Sequence, residues 1–228
     1  MKIAVLFACL LALPVLAEDK PLLGVPGKLI YENALAGVPE GWTAAVGKWE
    51  AADGVLRGAE QAADKHGAVV RRKMPLQDFI LQYDVKLDGA KGTSLSINDP
   101  KGHLARIAVA AKSVRVTKDD HDKDGPDKPE VFGNLKADFQ PGAWITVRME
   151  IVGDTMLAQA GGIVAFGTHE QLAGPKSNLG LTVAGESASF RNFKVWEATR
   201  NPAWEAVKAA LPKGEPVPAP AKKPAKAK

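Results

Sequence analysis

Cysteine is nearly absent: Cys9 is the only one in 228 residues. Cys9 also lies in an N-terminal segment with the marks of a cleavable leader. The mature chain is therefore expected to have no disulfide, thiolate metal ligand or cysteine nucleophile, and to depend on packing for its stability. Aromatic residues are scarce as well, at 6%. Long apolar runs are missing. The longest, Ile3 to Leu16, is broken by Pro14 and falls short of the ~20 residues that span a bilayer. There is no Gly-x-x-x-x-Gly-Lys, Gly-x-Gly-x-x-Gly or Gly-x-Ser-x-Gly, which argues against phosphate-loop, dinucleotide and serine-elbow chemistry. No long amphipathic helix and no alternation of strand and helix is visible either.

What is present begins with residues 1–17, read as a signal peptide: a basic Lys2, the apolar run, and Val15-Leu16-Ala17 as a cleavage site, with Glu18 and Asp19 opening the mature chain. The protein is expected to be exported, periplasmic or secreted, with no transmembrane segment in the mature chain. Leu6-Phe7-Ala8-Cys9 loosely resembles a lipoprotein box, which makes a lipid anchor the minor alternative.

The formal charge of +4 is misleading. Residues 213–228 hold five lysines against one glutamate, and Lys2 leaves with the leader, so the body of the protein is near −1. A nucleic-acid binder needs its Lys and Arg on the folded domain, so none is expected as a partner.

From Lys28 to Glu197 short segments alternate apolar and polar residues between Gly, Pro, Asn and Asp turns, an all-β pattern. In Phe79 to Leu87 the residues Phe79, Leu81, Tyr83, Val85 and Leu87 face one way and Gln82, Asp84 and Lys86 the other. Ile145, Val147, Met149 and Ile151 repeat the arrangement. Gly153-Asp154 then turns the chain into Thr155 to Ala160, and Gly161-Gly162 makes the next turn. Leu179 to Val183 and Phe190 to Trp196 close the series. Ala68 to Lys73, Ser94 to Asn98, Leu104 to Ala111 and Val114 to Lys118 complete about a dozen strands. Two antiparallel sheets packed face to face as a jelly roll bury such a set better than a closed barrel.

The expected organisation is a signal peptide at 1–17, an extension at 18–27, a β-sandwich domain at 28–198, a docking helix at 199–212 and a disordered Pro/Ala/Lys tail at 213–228. Asn201 as N-cap, Pro202 at the first helical position and Glu205 in the first turn predict the helix, which Pro212 stops. The tail cannot bury enough apolar surface to offset ordering. Its lysines make an anionic envelope surface a candidate partner.

Gln77-Asp78-Phe79-Ile80-Leu81, Pro141-Gly142-Ala143-Trp144 before Ile145, and Ser187-Ala188-Ser189-Phe190-Arg191-Asn192-Phe193-Lys194-Val195-Trp196 together carry a family resemblance. Over roughly Leu29 to Ala198 the chain resembles the 3-keto-disaccharide hydrolase domain, a sandwich related to family 16 glycoside hydrolases. The resemblance implies a concanavalin/laminin-G-like antiparallel β-sandwich, a carbohydrate ligand and glycosidic cleavage of an oxidised sugar. One departure matters: the Glu-x-Asp-x-x-Glu strand of true family 16 enzymes occurs nowhere, so no retaining carboxylate pair can be assigned.

The densest polar stretch, Lys118 to Glu130, places Asp120, Asp122 and Asp124 at positions 1, 3 and 5 of a calcium loop, with Gly125 at position 6. Position 12 is Val131, and strands flank the loop, so it is not an EF-hand. Calcium is the one candidate cofactor, and a solvated acidic loop balanced by Lys118, Lys123 and Lys128 is the competing reading. His121 in this loop and His169 in Gly167-Thr168-His169-Glu170 are the candidate catalytic acid or base residues. Trp42, Trp49 and Lys176 are the candidate ligand contacts, whereas Trp144, Trp196 and Trp204 read as packing. His66 and His103, beside Gly67 and Gly102, have no zinc-like spacing and are set aside.

Three functions stay open at this point: a glycoside hydrolase of the 3-keto-disaccharide type, a non-catalytic glycan-binding module that calcium could order, and a structural envelope protein.

Overall fold

The computed structural model describes residues 20–121 and 125–218. The expected leader at 1–17, the end of the tail, and Asp122 and Asp124 lie outside the described residues.

Among the described residues fifteen strands form: β1 (Gly24–Asn33), β2 (Trp42–Val46), β3 (Lys48–Ala52), β4 (Val55–Ala59), β5 (Ala68–Leu76), β6 (Phe79–Lys86), β7 (Ala90–Asn98), β8 (His103–Ala110), β9 (Ser113–Lys118), β10 (Glu130–Lys136), β11 (Trp144–Val152), β12 (Thr155–Ala160), β13 (Ile163–Thr168), β14 (Lys176–Gly185) and β15 (Ala188–Arg200). One helix, α1 (Trp204–Ala210), follows them. The first sheet runs β13-β12-β11-β6-β15-β4-β3, with β1 also on β15, and the second runs β10-β9-β8-β7-β14-β5-β2. This is the expected antiparallel sandwich.

Alternation explains the core. Across β6 and β11 the pairs Phe79↔Ile151, Leu81↔Met149, Tyr83↔Val147 and Val85↔Ile145 are in register, and all eight side chains are buried. Opposite them stand Leu95 and Ile97 of β7, Ile107 and Val109 of β8, and Leu179, Leu181 and Val183 of β14. Removing any one of these large side chains would leave a cavity costing about 2–5 kcal/mol. Strict alternation would send Phe190 and Phe193 to opposite faces, yet both are buried. A bulge between Arg191 and Lys194, with Asn192 at φ 56°, resets the phase. Tyr83 and Trp42 then pack on Phe193.

A second, smaller core roofs part of the outer face of the first sheet. Leu23 and Trp204 pack with Ile80, Val152 and Leu157, and Leu22, Val207 and Leu211 lie around them. The buried Glu150 carboxylate accepts the amides of Leu22, Leu23 and Gly24 at 2.8–3.2 Å and so pins the N-terminal segment to β11. Burial pushes the Glu150 carboxyl up, and the three amides and Arg148 oppose that push.

Several boundaries differ from expectation. Pairing of Gly24 with Arg200 extends the sandwich beyond 28–198 at both ends. The helix starts at Trp204 rather than Pro202, because the Asn201 side chain accepts from Ala203 N and donates to Leu22 O, making 201–203 a turn. Within the segment expected to be a disordered tail, Lys136 N donates to Glu215 O and Val217 N donates to Asn134 O. Residues 215–217 thus lie along the open edge of β10. The backbone groups of an otherwise unpaired strand edge supply that affinity.

Candidate active site on the second sheet

The histidines, the lysine and the two tryptophans singled out in the sequence have other partners in the structure. His121 Nε2 lies 2.8 Å from Asp99 Oδ2, and its Nδ1 lies 3.2 Å from Asp127 Oδ2. Both ring nitrogens are occupied, so His121 clips the 119–129 loop to the β7–β8 turn and has no free nitrogen for proton transfer. Asp127 also takes the ammonium of Lys118, which is fully buried. Partial desolvation works against the Asp127 carboxylate, but the His121 amide and Lys118 outweigh it and hold its pKa below the usual value. His169 caps the 3-10 turn Glu170–Ala173 by accepting from Gln171 N. Lys176 is only 2% exposed and donates to Gln77 O at 2.7 Å. Burial lowers its pKa to about 8, and Asp78 opposes that shift.

Trp42 is a core residue, 7% exposed, with its indole N–H spent on the Tyr31 hydroxyl. Trp49 packs on Phe190 and donates to Val46 O. Its ring lies so close over Gly58 that a Cβ there would sit 2.6 Å from it. Neither indole is placed as a ligand platform, because the core has already claimed the ring faces. Asp120 is one end of a loop whose other two predicted ligands, Asp122 and Asp124, are not described. Among the described residues no group of three His, Cys, Asp or Glu side chains converges as a metal site.

The polar constellation that does converge lies on the outer face of the second sheet, and registry builds it. One transverse row reads Arg71, Gly180, Ser96, Arg106, Thr117 across β5, β14, β7, β8 and β9. The row beside it reads Lys73, Asn178, Asn98, His103. A third reads Thr182, Ser94, Ala108, Arg115, Asn134. Small residues at the centre and long cations on both flanks make a groove. The two guanidinium-bearing Cα positions of the first row are three strand spacings apart, about 14 Å. The Arg71 stem leans over the Gly180 position toward Ser96, so the floor is narrow.

His103 stands at the end of this groove because of a bulge. Ile97 pairs with Ala105 and Asn98 with His103, so Leu104 is an extra residue on β8 that goes into the core. Gly102, at φ 149°, makes the preceding turn, and a Cβ there would lie 2.4 Å from His121 O. Only glycine lets the β7–β8 turn approach the 119–129 loop so closely. The clip at His121 therefore supports His103 from behind, and His103 N donates to His121 O at 3.2 Å.

A chain of amides sets the imidazole. Ser177 Oγ donates to Asp99 O, Asn178 Nδ2 donates to Ser177 Oγ, and Asn98 Nδ2 donates to Asn178 Oδ1 at 2.9 Å. Asn98 therefore presents its carbonyl oxygen to His103 Nδ1 at 3.0 Å. An acceptor there requires the proton on Nδ1 and leaves the lone pair on Nε2. Burial of the inner ring edge lowers the His103 pKa below the ordinary histidine value. Arg106 and, less strongly, Arg71 add to that lowering, and Asp119 opposes it. Asp119 is held by Arg106 at 2.9 Å and by the Thr117 hydroxyl at 2.7 Å. The result is a neutral, oriented imidazole beside two guanidinium groups, an arrangement for removing a proton and holding the anion left behind.

Sequence reasoning set His103 aside because its neighbours in the chain carry no motif. The signal was spatial: Asn98, Asn178 and His103 come from three strands whose pairing no local pattern specifies.

Comparisons with known proteins agree with this architecture. No curated protein matches the sequence. Among solved structures, the chain is similar to the carbohydrate-binding module CBM66 of Bacillus subtilis (16% identity, TM-score 0.56, covering 69% of this chain and 96% of that one). It is also similar to a putative glycosyl hydrolase of Parabacteroides distasonis (18% identity, TM-score 0.51, 73% and 99%). A third is the laminarinase of Rhodothermus marinus (11% identity, TM-score 0.56, 77% and 100%). At these identities the likeness is one of fold. The sequence itself matches a family model over residues 36–196, which spans every strand of the groove and brings a carbohydrate-related function with it. The chain belongs to the family of 3-keto-alpha-glucoside-1,2-lyase-like domains.

Proposed function

We propose that this protein is an exported enzyme that cleaves the glycosidic bond of a 3-oxo sugar by elimination across C1 and C2, with His103 as the base. The observation that carries the reading is the Asn178–Asn98–His103 relay, which leaves Nε2 as a proton acceptor on the groove. A C3 ketone acidifies the hydrogen on C2. His103 Nε2 takes that proton, and the electron pair moves into the C2–C3 bond and onto the C3 oxygen as an enolate. Arg106 and Arg71 flank the base and supply charge to that oxygen. Collapse of the enolate forms the C1–C2 double bond and breaks the C1–O bond. The departing oxygen takes a proton from the imidazolium or from water. This chemistry needs no carboxylate pair, which fits a chain without the family 16 strand.

A second reading, a glycan-binding module without turnover, is favoured by one feature: the carboxylate next to these rows, Asp119, is tied to Arg106 and Thr117. The test is to incubate mature protein with 3-oxo-glucosides and their unoxidised parents, following the released alcohol and the ultraviolet absorbance of the conjugated enone. Turnover of the oxo substrates alone, lost in His103→Gln, is the expected result. Binding without turnover would select the second reading, and full turnover by His103→Gln would refute the assignment of the base. Export is tested separately: protein recovered outside the cytoplasm should begin at Glu18.

A further inference from the structure

On the same outer face, two rows from His103, lies a depression of about 320 Å³. Arg106 and Arg115 line it, together with Ser94, Thr182 and Asn134, and no aspartate or glutamate does. Arg115 is exposed on β9 between Ala108 and Asn134 in register, and no carboxylate pairs with it among the described residues. Gly92, Ala108 and Ala184 keep the floor low. Elsewhere on the surface Lys48, Lys86, Lys112, Lys194 and Arg200 each hold a carboxylate. Arg106 shares its charge with Asp119, so Arg115 is the guanidinium of this polar, solvent-open depression that carries an unbalanced charge among the described residues.

We propose that this depression receives a negatively charged ring substituent, so that the saccharide bound in the groove is an acidic one carrying a carboxylate or a sulfate. The inference rests on the groove being the saccharide site. Guanidinium groups present planar pairs of donors that match the two oxygens of either anion, and the hydroxyl and amide groups around them suit the neutral hydroxyls of the same ring. A neutral sugar would leave the Arg115 guanidinium facing only hydroxyls.

The test measures binding by calorimetry, which needs no turnover. The probes are a galacturonic acid disaccharide, a sulfated galactose disaccharide and the neutral galactose disaccharide, each at low and at physiological salt. The acidic probes are expected to bind at least tenfold tighter than the neutral one, with the margin shrinking as salt rises. The two acidic arms show which anion is preferred. Arg115→Ala should bring the acidic affinity down toward that of the neutral probe, and Arg115→Lys should restore part of it, with melting curves showing that both variants fold. Equal binding of neutral and acidic probes, or an undiminished preference in Arg115→Ala, overturns this inference alone. Failure of every probe to bind overturns it together with the groove itself.

Discussion

Asn98 Oδ1 meets His103 Nδ1 at 3.0 Å, and because the Asn98 amide nitrogen is already committed to Asn178, this contact decides which histidine nitrogen carries the proton. Orientation and tautomer therefore depend on Asn98, which acts through the imidazole. Asn98→Leu should lower kcat by about 10–100-fold with KM little changed, whereas His103→Gln should lose about 10²–10⁴-fold, the usual share of a positioned base. Steady-state kinetics on a 3-oxo-glucoside separate the two. Equal losses in kcat and KM for Asn98→Leu would mean that it binds substrate rather than orients His103.

The pH profile should carry the His103 shift. The base acts when neutral and its pKa is lowered, so kcat/KM should rise with pH along an acid limb centred below 6.5. Arg106→Gln removes a charge that lowers the value and leaves Asp119, which raises it. The limb should then move to higher pH while the plateau falls. A limb that stays in place in Arg106→Gln would argue that another group titrates.

His121 should matter for stability more than for rate. His121→Leu leaves Asp99 and Asp127 without their shared partner and loosens the 119–129 loop, at a cost of about 1–3 kcal/mol. Thermal melts should fall while kcat drops less than in His103→Gln. The reverse order would restore His121 to the catalytic role that its loop suggested.

Lys176 gives a stability prediction with a definite sign. Its folded pKa, about 8, lies below the unfolded value of 10.5. The unfolded chain therefore binds more protons between those limits, and the contribution of Lys176 to stability rises with pH across that window. Below about pH 8 the buried ammonium is a burden on the order of 3 kcal/mol at most, eased by its bond to Gln77 O. The melting temperature of Lys176→Met minus that of the wild type should thus decrease from pH 7.5 to pH 10. A difference independent of pH would show that the ammonium is solvated in the folded state.

The sandwich was legible because β6, β11 and β14 alternate cleanly, and Gly153-Asp154 and Gly161-Gly162 mark their turns. β1 to β4 were not, since Gly24–Ala59 mixes glycine, proline and exposed apolar residues, and its strands are set by pairing with β15 and β5 rather than by pattern. The family was legible above all from Ser187 to Trp196, the stretch that opens β15. The site was not. Charged loops such as 118–130 draw attention in a sequence, but here the loop histidine is consumed by its own carboxylates. The histidine placed to act sits after a turn glycine, in a strand whose outward residues are otherwise arginine and alanine. Its partners, Asn98 and Asn178, lie 5 residues before it and 75 after it, and only the β8-β7-β14 order joins them.

Deuterium at C2 of a 3-oxo-glucoside tests the central claim most directly. If His103 removes that hydrogen, the wild-type protein should show a primary isotope effect on cleavage, or wash the label into solvent ahead of cleavage. His103→Gln should do neither above the uncatalysed rate. Cleavage that proceeds at the wild-type rate in His103→Gln, or that shows no isotope effect and no loss of label, would contradict the account.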